Sequence, residues 1–397
     1  MARTQQVNQW ITTVQENLPH LSRPQATVLA LWSFAAVMIR SGSLTLVTAF
    51  LAQLEEQKPN TVRQRLKEFY KDQHAKKGDK RQEIEVSLTL GPLLEWVLRL
   101  WRSSEIALAL DPTLLSDRWV ALVISVVYRG GAIPVAWVIV PANKKGAWKH
   151  HWLAMLAHLE HRIPASMTVL VLTDRGLYAK WLFEAIQAVG FHPFMRINSN
   201  GQFRPNAQRR WFKGQELVPA PGQYYAQRGA MFKTKQCRLA CTLLVCWQEG
   251  HEQAWLLITD LAPGACDASW YGLRSWIEQG FKCIKTNGFQ WQTSRLVHAD
   301  RMERLWLVYA VATLWLVSVG GELEYECESV WGEAAALVCL AARQGRRRQL
   351  RVFRLGFLRV LVALIKGAAL PMPRALVPEV WTIPGSCSAA IPYSLAA

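Results

Sequence analysis

Cysteine and acidic residues are both scarce in this chain. Eight cysteines among 397 residues cannot make a disulfide scaffold, and they point to a reducing compartment. Cys237, Cys241 and Cys246 lack C-x2-C spacing and alternate with apolar residues, so they read as buried thiols. His150, His151, His158 and His161 cluster with no Cys or carboxylate to complete a zinc site. The 29 Asp and Glu are outnumbered by 46 Lys and Arg, a net charge of +17. That excess excludes a typical metabolic enzyme and calls for a polyanionic partner, nucleic acid or an anionic membrane surface. The opening stretch MARTQQVNQWITTVQENLPH has no apolar core of signal-peptide length, so no export is expected. Long apolar runs are also few. Leu305 to Gly321 spans 17 residues, just short of a comfortable membrane span, and polar DRMER and GELEYECE flank it. It reads as a buried helix, with no membrane partner.

What the chain does have is apolar bulk. Hydrophobic residues make up 51% and include 19 Trp, which excludes wholesale disorder and leaves the indoles for packing or base stacking. Residues 1–98 read as a helical, basic, DNA-binding region. Leu44 to Glu56 carries a helical apolar pattern, Gln57-Lys58-Pro59 breaks it, and Asn60 is the expected N-cap of a second helix. From Lys58 to Arg81 there are nine Lys or Arg against three Asp or Glu. Two helices around a tight turn, the second bearing Arg63, Arg65 and Lys67, match a helix-turn-helix reader of DNA. A solvated basic helix in an ordinary bundle fits the same charges.

Residues 99–197 change period. Ile106–Leu110, Trp119–Tyr128, Ile133–Val140 and Met167–Leu172 are short apolar runs expected as strands. Arg129-Gly130-Gly131 predicts a hairpin, Ala147–Arg162 a helix, Tyr178–Val189 a helix closed by Gly190, and Phe191–Ile197 a fifth strand. This order implies an α/β fold with a mixed sheet flanked by helices. Residues 198–262 read as a β-rich insertion whose RINSNGQFRPN start is loop. Residues 263–325 return to the core, and 326–397 form a C-terminal helical region and tail. Seven Arg lie between Arg343 and Arg359, suited to DNA or to a solvated helix face. Pro371–Ala397 is expected as a weakly ordered tail. Asn143–Lys149 is a basic loop whose following amides could hold a phosphate.

Two carboxylates end apolar strands, Asp111 after IALAL and Asp174 after VLVLT. On neighbouring strands about 4.8 Å apart both reach one site, and such a pair repels itself unless a hard cation sits between. The segment Tyr271 to Lys285 is sharper. On an α-helix, Tyr271, Arg274, Glu278, Lys282 and Lys285 share a stripe about 80° wide. Leu273, Trp276, Gly280 and Ile284 form the opposite, packing face. Gly280 in mid-helix costs about 1 kcal/mol relative to Ala, so close approach of another backbone is its expected reason. Arg274–Glu278–Lys282 salt bridges explain the charges but neither Tyr271 nor Lys285.

Tyr271, Arg274, Glu278 and Lys285 match Y-x2-R-x3-E-x6-K in full. This resembles the signature of bacterial insertion-sequence transposases of the DDE, cut-and-paste kind. LALDPT and LTDRGLYAKWLF resemble the segments around that family's two catalytic Asp residues, and the likeness covers about 105–320. The resemblance implies a ribonuclease-H-like fold in which Asp111, Asp174 and Glu278 are catalytic and hold two Mg2+, with Mn2+ as a substitute. It implies that Tyr271, Arg274 and Lys285 grip DNA backbone near the element's end. Lys282 is added because it shares their face. Relatives pass through a hairpin with a flipped base stacked on Trp; Trp247 and Trp255 are candidates, with core packing the better account of each. The implied partners are double-stranded DNA and a second copy of the chain, and the implied setting is the bacterial cytoplasm at the nucleoid. A nuclease of the same fold without strand transfer, and a catalytically silent DNA-binding regulator, are the alternatives.

Overall fold

A computed structural model describes residues 2–76, 82–115, 117–143, 148–330, 343–344, 347–348 and 350–382. Five helices come first: α1 (Ala2–Asn17), α2 (Arg23–Ile39), α3 (Leu44–Leu54), α4 (Pro59–Tyr70) and α5 (Ser87–Leu100). The break between α3 and α4 stands where the sequence predicts it, but Lys58 is the N-cap of α4 and Pro59 its first residue. Proline suits that position because its missing N–H is one the first turn leaves unpaired anyway. Val62, Leu66, Phe69 and Tyr70 are the buried stripe of α4. Arg63 donates to Thr45 Oγ1 at 3.4 Å, Arg65 pairs with Glu55, and Lys67 is half-buried on the flank.

One sheet dominates the rest. Its strands are β1 (Glu105–Leu115), β2 (Trp119–Tyr128), β3 (Gly131–Pro141), β4 (Thr168–Thr173), β5 (His192–Arg196), β6 (Gln202–Pro205), β7 (Phe212–Lys213), β8 (Tyr224–Met231), β9 (Leu239–Cys246) and β10 (Trp255–Thr259). They run in the order β3-β2-β1-β4-β5-β10-β9-β8-β6-β7. The pairs β1/β4 and β4/β5 are parallel, and β1/β2, β2/β3, β5/β10 and β9/β10 are antiparallel. The mixed sheet and its flanking helices agree with the ribonuclease-H-like expectation. Arg129 and Gly130, at φ 43° and 77°, turn the β2–β3 hairpin with the two positive φ values a type I′ loop needs.

Residues 198–262 extend this sheet directly, since β10 hydrogen-bonds to β5. The stretch expected as loop includes strand β6, which pairs with β8. Helix α6 (Lys149–Leu159) and helix α7 (Lys180–Ala188) lie where the apolar period puts them. The 17-residue apolar run lies inside α9 (Ala299–Val330), and the most apolar stretch of that helix is 94% buried inside the chain. Asp72, just past α4, pairs with Arg301 and Arg304 of α9 at 2.9 and 2.7 Å, fastening the N-terminal helices to the core.

Two further expectations are corrected here. Cys241 and Cys246 are buried, but Cys237 is exposed, because it lies in the loop before β9. The tail is docked rather than loose over 371–382. Leu376 bridges Trp101, Arg129 Nε donates to Val377 O at 2.7 Å, and Trp270 Nε1 donates to Thr382 O at 2.9 Å. In the Arg-rich segment, Arg354 and Arg359 stand on a helix, Val352–Ile365, and Arg359 pairs with Glu326 at 2.9 Å. Positions 345, 346 and 349, the core of the basic loop (144–147) and the last tail residues (383–397) lie outside the described residues.

Candidate active site

The sheet register builds the site. The last parallel pair of β1 and β4 is Leu110 with Thr173, and Thr173 in turn aligns with Met195 of β5. The next residue on each strand is Asp111, Asp174 and Arg196, so three charged side chains form a row across three adjacent strands, about 4.8 Å apart. Asp111 is not terminal as the sequence suggested: β1 runs on to Leu115, held there by β2 alone. Asp174 Oδ1 accepts from Gly176 N at 2.8 Å. A Cβ on Gly176 would lie 3.2 Å from that oxygen, so glycine lets the turn close around the carboxylate.

The third carboxylate arrives on a segmented helix. Ala268–Arg274 is a 3-10 turn, α8 is Ser275–Lys282, and Cys283–Asn287 is a π turn. A single α-helix was expected. The segmentation matters because three-residue spacing eclipses side chains in a 3-10 turn: Tyr271 stands over Arg274, and both face inward. Tyr271 is 5% exposed and packs edge-on against Trp255 at 5.3 Å. Arg196 lies beside its phenol, close enough for each to bear on the other's charge. Burial pushes that phenol up to about 12. Gly280 meets β3 as predicted; a Cβ there would sit 3.0 Å from Ala132 Cβ.

Arg274 is the centre of the arrangement. Its guanidinium reaches Asp111 Oδ2 at 2.9 Å, Asp174 Oδ2 at 3.5 Å and Glu278 Oε1 at 2.7 Å. The three carboxylates named from sequence, which stand on three separate segments, therefore converge on one cation. Burial raises the Asp111 carboxyl to about 7; Arg274 opposes this, and the charges on Asp174 and Glu278 reinforce it. Lys285 is half-buried, and burial lowers its amine while Asp111 holds it up. Lys282, the last residue of α8, is exposed, whereas Lys285 lies in the π turn that follows. Trp255 walls the site through Tyr271, whereas Trp247 donates to His251 O at 2.8 Å in the β9–β10 turn. Sequence reading missed Arg196. Its signal is the same as for the two Asp residues, a charge directly after an apolar strand, but the pairing of β4 with β5 was needed to use it.

The donor set suits a hard divalent cation, which prefers carboxylate oxygen. Among the described residues the oxygens are gathered on the guanidinium, and no three acidic, His or Cys side chains close on a common point. Comparison with curated proteins finds no match. The family profile described as a transposase DDE domain matches residues 105–315, which takes in the carboxylate row, the added strands and α8, and the chain belongs to that family.

Proposed function

We propose that this chain is a transposase that cuts DNA at the inverted-repeat ends of a mobile element and joins the freed ends to target DNA. Membership of the family carries DNA cleavage and strand transfer at the coarse level. The finer reading rests on one observation, the meeting of Asp111, Asp174 and Glu278 around Arg274. Three carboxylates gathered on a single guanidinium leave an excess of negative charge that a divalent cation would share. Asp111, Asp174 and Glu278 are the residues to hold two Mg2+ or Mn2+. Such ions, when bound, neutralise a phosphodiester and stabilise the leaving oxygen of an in-line displacement.

The chain's own groups then have distinct tasks. Arg274, Arg196 and Lys285 supply positive charge beside the carboxylates, so a DNA strand laid across the row meets a cationic wall. Tyr271, pinned between Trp255 and Arg196, orients that wall, and phosphoryl transfer asks for little beyond such positioning and charge neutralisation. Residues 1–98, with Arg63, Arg65 and Lys67, are assigned to end binding, and Lys282 to a peripheral backbone contact. Two ends must be brought together, so the working form is a dimer acting at the bacterial nucleoid.

The test is a duplex carrying the inverted repeats that flank the gene. Glu278→Gln abolishes cleavage while leaving end binding largely intact; equal cleavage by variant and wild type overturns the assignment. Pre-cleaved ends separate this reading from a nuclease without strand transfer.

A further inference from the structure

The far end of the sheet bears a concentration of charge that the cleavage site does not use. Residues 204–238 hold eight Lys or Arg and one Glu. Phe203 and Met231, a cross-strand pair, are buried, so the alternate positions, Arg204 and its partner Ala230, belong to the opposite face. The small Ala230 and its own partner Ala240 leave that face open around Arg204. Among the described residues no carboxylate pairs with Arg204, Arg210 or Arg238.

Aromatic rings hold these cations in place. Arg204 and Arg238 stand over the Trp211 ring at 5.4 and 5.5 Å, and Arg210 over Phe212 at 5.2 Å. Arg238 Nη2 also donates to Lys233 O at 3.1 Å. The indole is thus committed to two guanidiniums and is not free to stack a base. A guanidinium braced on a ring loses less freedom when it meets a phosphate, and it stacks and forks onto oxygen where an ammonium offers only a point charge.

We propose that the β6–β8 end of the sheet is a second DNA-contact surface, which grips the phosphate backbone of duplex DNA through Arg204, Arg210 and Arg238. Contacts of this kind position the duplex without reading sequence. In the strand order, five spacings separate β6 from β4, about 24 Å at about 4.8 Å each. With a rise of about 3.4 Å per base pair, the grip falls about seven base pairs from the bond at the carboxylates. That placement rests on the cleavage reading; the surface itself does not.

The experiment uses the full chain in chelator, so binding is read apart from cleavage. Fluorescence anisotropy with two duplexes of unrelated sequence gives the slope of log K against log salt, about 0.9 per phosphate neutralised. Replacing Arg204, Arg210 and Arg238 together by Gln lowers the slope by about 2.7 and weakens both duplexes equally. The triple Lys variant restores the slope. Lys233→Gln with Lys235→Gln, at exposed positions of the loop before β9, lowers it by about 1.8 and covers the case in which the triple variant misfolds. An unchanged slope in the folded variants overturns the proposal. So does a preference for a single-stranded oligonucleotide over the duplex, or a loss seen only against anionic phospholipid vesicles. A duplex shortened to fewer than about seven base pairs beyond the cleaved bond loses the effect of the substitutions if the placement is right; a failure there alone overturns the distance.

Discussion

The two ends of one sheet handle charge in opposite ways. At β1 and β4, three carboxylates are drawn onto Arg274, and Asp111 is 8% exposed. At β6 to β8 the cations are spread over exposed or half-buried positions, braced on rings rather than on acids. Burial strengthens electrostatic coupling and shifts pKa values, which chemistry exploits. Exposure keeps charges independent, screened by salt and suited to steering a polyanion. The net +17 is therefore not uniform: at one end a guanidinium is paired with carboxylates, and at the other Arg204, Arg210 and Arg238 stand without acidic partners among the described residues.

Substitutions separate the ends by size of effect. Asp174→Asn lowers the cleavage rate by at least about 1,000-fold, because a reaction dependent on a shared charge site fails as a unit, while Arg210→Gln alone costs less than about tenfold in binding; single-turnover cleavage and anisotropy measure the two. Gly280→Val comes next. Its side chain meets Ala132, shifts α8 with Glu278, and lowers cleavage by about 100-fold, the cost of misplacing a reacting group by about 1 Å; end binding, measured in parallel, stays near wild type.

The effects on pH dependence are smaller and follow from sign. The folded state holds the Asp111 carboxyl at about 7, above its unfolded value near 3.9, so the folded protein binds the extra proton. The stability this contributes is present below about pH 4 and is lost as pH rises towards 7. Glu303, also raised to about 7 by burial, adds a loss in the same window. Thermal melts of Asp111→Asn therefore show a flatter decline between pH 4 and 7. Arg274→Gln removes the cation that opposes the shift, and the decline then extends to higher pH. The basic end, tested with Arg204→Gln, leaves the profile unchanged.

Much of the site could be read along the chain because strand ends are local signals. Asp111 and Asp174 follow apolar runs, and Glu278 falls on the polar side of a face whose packing partners Trp276, Gly280 and Ile284 are buried. Arg196 was not legible, since its place beside Asp174 depends on β4 pairing with β5, a contact between segments with a helix between them. Nor was the docking of 371–382, whose carbonyls accept from the Arg129 and Trp270 side chains and whose Leu376 and Trp381 are buried, because those partners lie more than a hundred residues away along the chain.

The sequence by itself determined the alternation of apolar strands and helices, the positive φ turn at Arg129-Gly130, the burial of the long apolar helix, and which side chains have chemistry to offer. These follow from periodicity and from the steric limits of single residues, which act over a few neighbours. Tertiary structure alone decided that the added strands continue the core sheet, that the last helical signature divides into 3-10, α and π turns, and that one guanidinium collects three carboxylates. Those outcomes depend on distant segments competing for the same buried space, where packing and desolvation outweigh local preference.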